Sequence, residues 1–215
     1  MRGQFYLEEI EMTATNRMRS GIRAVALTAM LAAVSAILQF LEFPMPFLIP
    51  SFVKFDFSDL PALLASFALG PVSGVTVCLL KNVIHLTATQ TGGVGELANF
   101  LISAFFVAPA GFIYKYHKTK AGALTGALVG TVVSALASFP INLWISYPVY
   151  SKMMPIDTIL AMYNEIFDVA AELWQALIVF NAPFTALKGL VIALLVMLIY
   201  KPLSPIFKKF IDAKS

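Results

Sequence analysis

The chain has 215 residues, of which 59% are hydrophobic and 13% are charged, and its mean hydropathy is +0.82. Soluble domains carry about 25% charged residues, so the composition excludes an ordinary soluble protein and predicts an all-α integral membrane protein of one domain. The net charge of +3 does not by itself characterise a partner, and we expect membrane lipid rather than nucleic acid around this chain. The single cysteine, Cys78, excludes a disulfide framework.

Six apolar runs are candidates for membrane-spanning helices, which need about 20 mainly apolar residues. In chain order they cover residues 24–40, 60–69, 72–86, 97–116, 121–150 and 174–200. The second and third runs are short, and Gly70–Pro71 predicts a tight break between them. Pro140 predicts a kink or interruption in the over-long fifth run. The amphipathic stretch at 151–172 is predicted to form a surface helix.

The distribution of basic residues predicts the orientation of the chain. With six spans and the N-terminus inside, eleven of the fifteen Lys and Arg fall in cytoplasmic segments, and eight of the twelve acids fall outside. We therefore predict that both termini are cytoplasmic. The predicted division is a cytoplasmic tail at 1–23, a six-helix transmembrane domain at 24–200 and a second cytoplasmic tail at 201–215.

Two charged residues of the short hairpin are predicted to form an ion pair. Asp59 lies eleven residues before Gly70, and Lys81 lies ten residues after Pro71. At 1.5 Å rise per residue the two side chains reach the same depth, so each compensates the other's charge. We interpret the pair as structural, locking the hairpin without touching a ligand, and His85 as a core residue.

Polar residues in the fifth and sixth runs predict a binding pocket. Asn181, Thr185 and Lys188 are spaced to share one helix face. An unpaired ammonium in a bilayer costs about 2.5–3.5 kcal/mol, and the sequence-adjacent helices offer no acid at the depth of Lys188. With Asn142, these groups predict a pocket in the outer half for a neutral, hydrogen-bonding molecule. The alternative is that each group bonds a backbone carbonyl of a neighbouring helix.

The residue types around this predicted pocket limit the ligand. No arginine follows Arg23, and phosphate recognition favours bidentate arginine, so a phosphorylated ligand is disfavoured. Aromatic residues are frequent in the outer loops, and they suit a planar, aromatic solute or form an interfacial belt. They include the phenylalanines of 41–57, Trp144, Tyr147, Tyr150 and Trp174.

The first apolar run carries small residues at the spacing that lets another helix approach closely. These residues are Ala29, Ala32, Ala33 and Ala36. The spacing leaves open whether the partner is a helix of this chain or another protein.

The chain is not expected to be an enzyme. It contains no G-x-x-x-x-G-K-[ST] phosphate loop and no His, Cys and Asp at metal-binding spacing, so we expect no ATP hydrolysis and no metal. An intramembrane hydrolase that uses Ser73 and His85 is a weaker hypothesis. Twelve residues separate the two, about 18 Å along one helix, which is too far for a Ser–His pair.

Four segments resemble the riboflavin-binding S-components of energy-coupling factor (ECF) vitamin transporters. They are KFDFSDLPALLASFALGPVSGVTVCLLKNVIH at 54–85, GELANFLIS at 95–103, FPINLWISYPVY at 139–150 and PFTALKG at 183–189. The resemblance implies the six-helix S-component fold in the cell membrane of a prokaryote. It also implies high-affinity capture of riboflavin from outside as the transported substrate, with no cofactor. The partners it implies are a transmembrane coupling protein, the T component, and two ATP-binding-cassette ATPases.

The resemblance also implies roles for individual residues. Asn142 and Lys188 correspond to an asparagine and a lysine that contact the flavin, and Phe55 and Asp56 belong to the outer loop that covers it. The family motif P-F-N-x-x-K-G has Thr185 in place of its asparagine, so either Thr185 or Asn181 is expected to supply that hydrogen bond. The alanines of the first helix correspond to the docking surface for the coupling protein. An S-component for FMN or another vitamin such as thiamin is the alternative.

Overall fold

The computed structural model describes the backbone of residues 2–212 and the side chains of residues 21–199. Within that range the chain is almost entirely helical. The helices are α1 (Arg2–Phe40), α2 (Asp59–Leu69), α3 (Pro71–His85), α4 (Val94–Tyr116), α5 (Lys120–Ile141), α6 (Tyr147–Met153), α7 (Ile156–Asn164), α8 (Leu173–Ala176) and α9 (Ala182–Asp212). The predicted boundaries between the tails and the transmembrane domain, at residues 23 and 200, fall inside α1 and α9.

In the described residues, five helical segments are long and apolar enough to cross a membrane. They are Gly21–Phe40, Pro71–Ala88, Val94–Tyr116, Lys120–Met153 and Leu173–Ile199. The second predicted run is α2, whose 11 residues extend about 16 Å, roughly half of a 30 Å hydrocarbon core. The chain is therefore a membrane protein with five long apolar helices and one short buried helix.

The break between α2 and α3 is present where the sequence predicted it. Gly70 separates the two helices with φ of 106°, a conformation that only glycine adopts without strain, and Pro71 begins α3. Proline is well suited to the first turn of a helix because its missing N–H has no helical partner there. Most of α2 is buried, so this helix lies in the interior of the bundle, whereas α3 keeps an exposed apolar face.

Two stretches of π-helix interrupt the long helices on the side of the predicted pocket. The first, Asn142–Ser146, comes directly after Pro140 and joins α5 to α6. The second, Leu177–Asn181, joins α8 to α9. The predicted interruption at Pro140 is therefore a change of helical pitch rather than a break. Such π segments occur frequently at functional sites, and these two contain the predicted pocket residues Asn142 and Asn181.

The loop at 41–58, named the outer loop after its predicted side of the membrane, packs against the helix ends. Two short strands, β1 (Phe43–Pro44) and β2 (Lys54–Phe55), pair in antiparallel register within it. Ile49 at its tip is fully buried in an apolar cluster that includes Tyr147 and Tyr163. The stretch at 151–172, predicted to form one surface helix, is helical only at the end of α6 and in α7, and residues 165–172 are irregular. The buried face of α7 contributes Ile159 and Tyr163 to the same cluster.

Helices α4 and α5 pack closely against each other, and glycine permits the contact. A methyl group at Gly126 would lie 2.7 Å from the carbonyl oxygen of Ala110, and one at Gly130 would overlap the carbonyl oxygen of Phe106. Small residues at such contacts are the usual means by which transmembrane helices pack tightly.

We expect Gly130→Ala to destabilise the protein by about 1–3 kcal/mol, because the added methyl group overpacks the α4–α5 contact. Gly21→Ala is the matched control, since a methyl group there meets no described atom within 4 Å and helix propensity favours alanine by about 1 kcal/mol. Thermal unfolding in detergent measures both effects. Equal melting temperatures for the two variants would contradict the close packing of α4 and α5.

Candidate functional site

Three buried charges, Asp56, Asp59 and Lys81, converge inside the bundle with the part-buried Lys188. Lys81 Nζ lies 2.6 Å from Asp59 Oδ1, while Lys188 Nζ lies 2.8 Å from Asp56 Oδ2 and 3.3 Å from Asp59 Oδ2. Ser103 Oγ donates a further hydrogen bond of 2.6 Å to Asp59. The positive charges of the two ammonium groups balance the negative charges of the two carboxylates. Buried charges are tolerated when they are paired in this way. We call Asp56, Asp59, Lys81 and Lys188 the charge cluster.

The helices adjacent to Lys188 in sequence offer it no acid, as predicted, but Lys188 is nonetheless paired. Its partners come from the segment that precedes and begins α2, with Asp56 lying 132 residues away in sequence. Depth reasoning along neighbouring helices could not find this contact, because the outer loop folds inward and brings Asp56 down to the helix interior.

Asp56 lies outside the spanning segments and is only 3% exposed. Burial alone would raise the pKa of its carboxyl group, but the ammonium groups of Lys188 and Lys81 outweigh burial and hold that pKa below its usual range. The carboxylate is therefore ionised at neutral pH. Its stabilising contribution is present above the ordinary pKa of an aspartate and is lost as the pH falls through the lowered value.

Beside the charge cluster lies a cavity of about 210 Å³, enclosed by the helices and the outer loop. Five of the six predicted ligand-binding residues line it: Asp56, Asn142, Asn181, Thr185 and Lys188. Aromatic residues form much of the remaining wall, namely Phe52, Phe106, Tyr147, Tyr150 and Phe184. Ligand pockets usually measure about 300–1,000 Å³, so this cavity is small for a large planar molecule.

Phe55 does not line the cavity, in contrast to the sequence prediction. Its ring packs edge-on against Phe57 and Phe184 at centroid distances of 5.2 and 6.1 Å. It supports Phe184, which does line the cavity. Phe52, which precedes Phe55 in the loop, lies in the cavity wall and contacts the rings of Tyr147 and Tyr150.

The polar side chains of the cavity wall differ in how many hydrogen-bonding groups they keep available. Asn181 uses both ends of its amide on tyrosines: Tyr163 donates to its oxygen at 2.6 Å, and its nitrogen donates to the Tyr147 hydroxyl at 3.3 Å. Burial raises the pKa of Tyr163 well above its usual range, so that hydroxyl remains a donor. The Thr185 hydroxyl donates to the backbone carbonyl oxygen of Asn181 at 2.8 Å, so for a ligand it retains only its capacity to accept a hydrogen bond.

Donors for a ligand remain on two of the predicted residues. Lys188 has three N–H groups, and two of them are directed at Asp56 and Asp59. Asn142 makes no side-chain hydrogen bond to any of the described residues. Thr185 and Asn181 were the two predicted substitutes for the family asparagine. Thr185 is available as a hydrogen-bond acceptor, whereas the Asn181 amide is already hydrogen-bonded to Tyr163 and Tyr147.

A second polar group of wall residues, which was not predicted from the sequence, lies at the side formed by α1, α3, α4 and the loop. Its members are Gln39, Glu42, Lys54, His85 and Glu96. Each follows or lies within an apolar stretch, so hydropathy alone gave no signal for Gln39 or Glu96. His85 is a buried histidine with a hydrogen-bonding partner, as predicted, because its Nδ1 lies 3.1 Å from Glu96 Oε1, and it also lines the cavity.

The four alanines predicted as a docking surface differ in their solvent exposure. Ala29 and Ala33 face outward, whereas Ala32 and Ala36 are only 2% and 4% exposed because the chain's own helices cover them. The predicted surface is thus narrowed to Ala29 and Ala33. Ala32 and Ala36 thus bear out the alternative in which the partner is a helix of this chain, and docking of another protein stays a prediction for Ala29 and Ala33.

A family model described as "ECF transporter, substrate-specific component" matches residues 23–200. The chain belongs to this family. The match covers every long apolar helix and the whole cavity wall, and it confirms the resemblance found in the four sequence segments. The family consists of transporter components, so the chain is not an enzyme, and no cofactor is expected.

Individual relatives and a solved structure agree with this assignment. The chain is 34% identical over 181 residues to a "Riboflavin transporter RibU" of Staphylococcus aureus, covering 84% of this chain and 90% of that protein. It is 29% identical over 187 residues to a "Riboflavin transporter FmnP" of Bacillus subtilis, covering 86% and 93%. A structure titled "Structure and mechanism of the S component of a bacterial ECF transporter" matches with a TM-score of 0.69, at 31% identity over 87% of this chain and 99% of the other.

We expect Lys188→Met and Asp56→Asn each to cost about 3–5 kcal/mol of stability, because each leaves the charge cluster with an uncompensated buried charge. The double variant restores neutrality and should be destabilised by less than the sum of the two. Thermal unfolding of the four proteins measures the coupling, with Lys152→Met at an exposed position as the control. Additive losses would contradict the ion pair.

Proposed function

We propose that this protein is the high-affinity riboflavin-binding subunit of an ECF-type transporter. The observation that carries the proposal is the cavity between the outer loop and α9, where Lys188, Asn142 and Thr185 face an aromatic wall. The names of the two relatives support riboflavin as the ligand.

The chemistry of the cavity wall suits a flavin. The isoalloxazine ring is planar and aromatic, with carbonyl oxygens and ring nitrogens that accept hydrogen bonds along one edge. Lys188 and Asn142 offer donors to such an edge, and Thr185 offers an acceptor to a ring N–H. Phe52, Tyr147 and the other rings of the wall supply apolar area for the faces of the ring system. A few convergent polar groups in an aromatic slot are typical of a ligand site.

Capture of the flavin requires the outer loop to act as a lid. The loop contributes Phe52 and Asp56 to the cavity wall, and its inner end is held by the contact between Asp56 and Lys188. In the proposed cycle the loop opens to admit riboflavin from outside and then closes over it. Reorientation driven by partner proteins releases the ligand inside the cell, and no chemical step takes place on the substrate.

The proposal includes six membrane spans in a prokaryotic cell membrane, with both termini in the cytoplasm and α2 as the short second span. The partners are a T component and two ATP-binding-cassette ATPases. Ala29 and Ala33 support the position of the coupling protein, because their small side chains face outward on α1 and permit close helix contact.

The other candidate functions receive less support. Ser73 and His85 lie on the single helix α3, and His85 is held by Glu96, which argues against a hydrolase. FMN as the ligand would require a phosphate site. In the cavity both lysines are already paired, Lys188 with Asp56 and Lys54 with Glu42.

The test is purification of the protein from cells grown with riboflavin, followed by an absorbance spectrum between 350 and 500 nm and chromatography of the released ligand. We expect a yellow protein that releases one equivalent of riboflavin on denaturation. A colourless protein that does not quench the fluorescence of added riboflavin would contradict the proposal. Release of FMN or thiamin would retain the fold and replace the ligand.

We expect Ala29→Trp and Ala33→Trp to abolish uptake while flavin affinity stays within about twofold, because a large side chain blocks the partner helix without reaching the cavity. Thr125→Trp makes a similar change on the exposed face of α5 and serves as the control. Riboflavin uptake in cells and fluorescence titration of the purified protein separate the two effects. Normal uptake by both alanine variants would refute the docking surface.

A further inference from the structure

Tyr163 on the short helix α7 is fully buried, although it does not line the cavity. Its hydroxyl donates to Asn181 Oδ1 at 2.6 Å and also contacts the hydroxyl of Tyr147. Asn181 donates through Nδ2 to the Tyr147 hydroxyl at 3.3 Å. The three side chains therefore form a closed set of hydrogen bonds, which we call the tyrosine network. Two of its members, Tyr147 and Asn181, line the cavity.

The tyrosine network joins α7 to the two π segments of the cavity wall. Tyr147 comes directly after the first π segment, and Asn181 is the last residue of the second. Tyr163 has a single O–H group, which it gives to Asn181, so Tyr147 donates in the contact between the two hydroxyls. Each hydroxyl of the network both donates and accepts. Their hydrogen-bonding capacity is directed at one another, and this holds α7 against the wall.

Helix α7 also supports the outer loop. Ile49 at the loop tip is fully buried in a cluster that includes Tyr163 and Ile159 of α7. The ring of Phe52 meets that of Tyr163 edge-on, with the centroids 6.3 Å apart and the planes at 89°. The loop proposed as the lid therefore rests partly on α7.

The connections of α7 permit it to move as a unit. It lies between the spanning segments Lys120–Met153 and Leu173–Ile199, and an extended residue flanks it on each side, Met154 before it and Glu172 after it. Asn164 at its end bonds both the N–H and the carbonyl oxygen of Ala170, at 2.9 and 2.8 Å. Residues 156–170 can thus tilt about the two extended connections without unwinding the spanning helices.

We propose that α7 is a second closing element of the ligand cavity, and that Tyr163 is the positioning residue that latches it to the wall through Asn181 and Tyr147. The inference rests on the proposed function, in which the outer loop opens to admit riboflavin. When Ile49 and Phe52 leave their seat on α7, the helix tilts outward and water replaces the hydrogen bonds of the tyrosine network. Closure of the loop restores them.

The position of Tyr163 outside the cavity wall determines what its hydroxyl contributes. The tyrosine network joins protein groups to one another, so it stabilises the closed form equally with and without a flavin. Without the Tyr163 hydroxyl, Asn181 Oδ1 loses its donor in the closed form, whereas water can supply one in the open form. Opening then becomes easier in both states. Riboflavin enters and leaves faster, and its affinity stays nearly constant.

The experiment measures the association and dissociation rate constants of riboflavin by stopped-flow fluorescence, together with the melting temperature of each protein in detergent. The variants are Tyr163→Phe, Tyr147→Phe and the double variant, in which only hydroxyl groups are removed. Tyr147→Phe breaks the same network and serves if Tyr163→Phe does not fold. Tyr116→Phe is the matched control, because Tyr116 is 76% exposed at the end of α4.

We expect Tyr163→Phe to raise both rate constants about tenfold and to leave the dissociation constant within about twofold. The double variant should raise the rate constants by less than the product of the two single effects, because the two hydroxyls contact each other. Tyr116→Phe should change neither rate constant.

Three results would overturn the inference while leaving the proposed function intact. The first is a lower melting temperature of Tyr163→Phe with unchanged rate constants, which would make the tyrosine network purely structural. The second is a faster dissociation alone with an equal loss of affinity, which is the behaviour of a ligand contact. The third is multiplicative effects in the double variant. A wild-type protein that does not bind riboflavin would instead refute the proposed function, and the inference with it.

Discussion

The charge cluster is the constraint on which the rest of the structure depends. Two lysines and two aspartates inside an apolar bundle can be ionised only if they lie together, since each one alone would be strongly unfavourable in that environment. Asp59 contacts both Lys81 and Lys188, and Asp56 completes the set. These contacts fix α2, α3 and α9 and the inner end of the outer loop relative to one another.

The same cluster connects the stability of the fold to the ligand site. Lys188 belongs to the cluster and also to the cavity wall, so its position beside the proposed flavin ring is set by carboxylates rather than by the ligand. Asp56 lies at the end of the loop that covers the cavity. Opening of that loop would change the surroundings of a paired charge. The free energy of the proposed lid movement therefore has an electrostatic contribution, in addition to the contribution from the apolar packing of Ile49 and Phe52.

Features governed by local rules were predictable from sequence. The apolar runs, the turn at Gly70–Pro71 and the shared depth of Asp59 and Lys81 follow from spacing along one or two adjacent helices. The partner of Lys188 did not, because Asp56 reaches it through a loop that folds inward across 132 residues of sequence. The burial of Gln39 and of Ala32 and Ala36 on α1 was not predictable for a similar reason. Which side of a helix is covered depends on how neighbouring helices pack, and periodicity does not specify the neighbour.

The proposed flavin site is best tested by a structure of the protein with riboflavin bound. We predict that the isoalloxazine ring lies between Phe52 and α9, with a polar atom of the ring within hydrogen-bond distance of Lys188 Nζ while Asp56 stays paired with that lysine. We also predict that the loop at 41–58 is closed over the ligand. A flavin bound outside this cavity, or one that leaves Lys188 in contact with carboxylates alone, would contradict the proposed site.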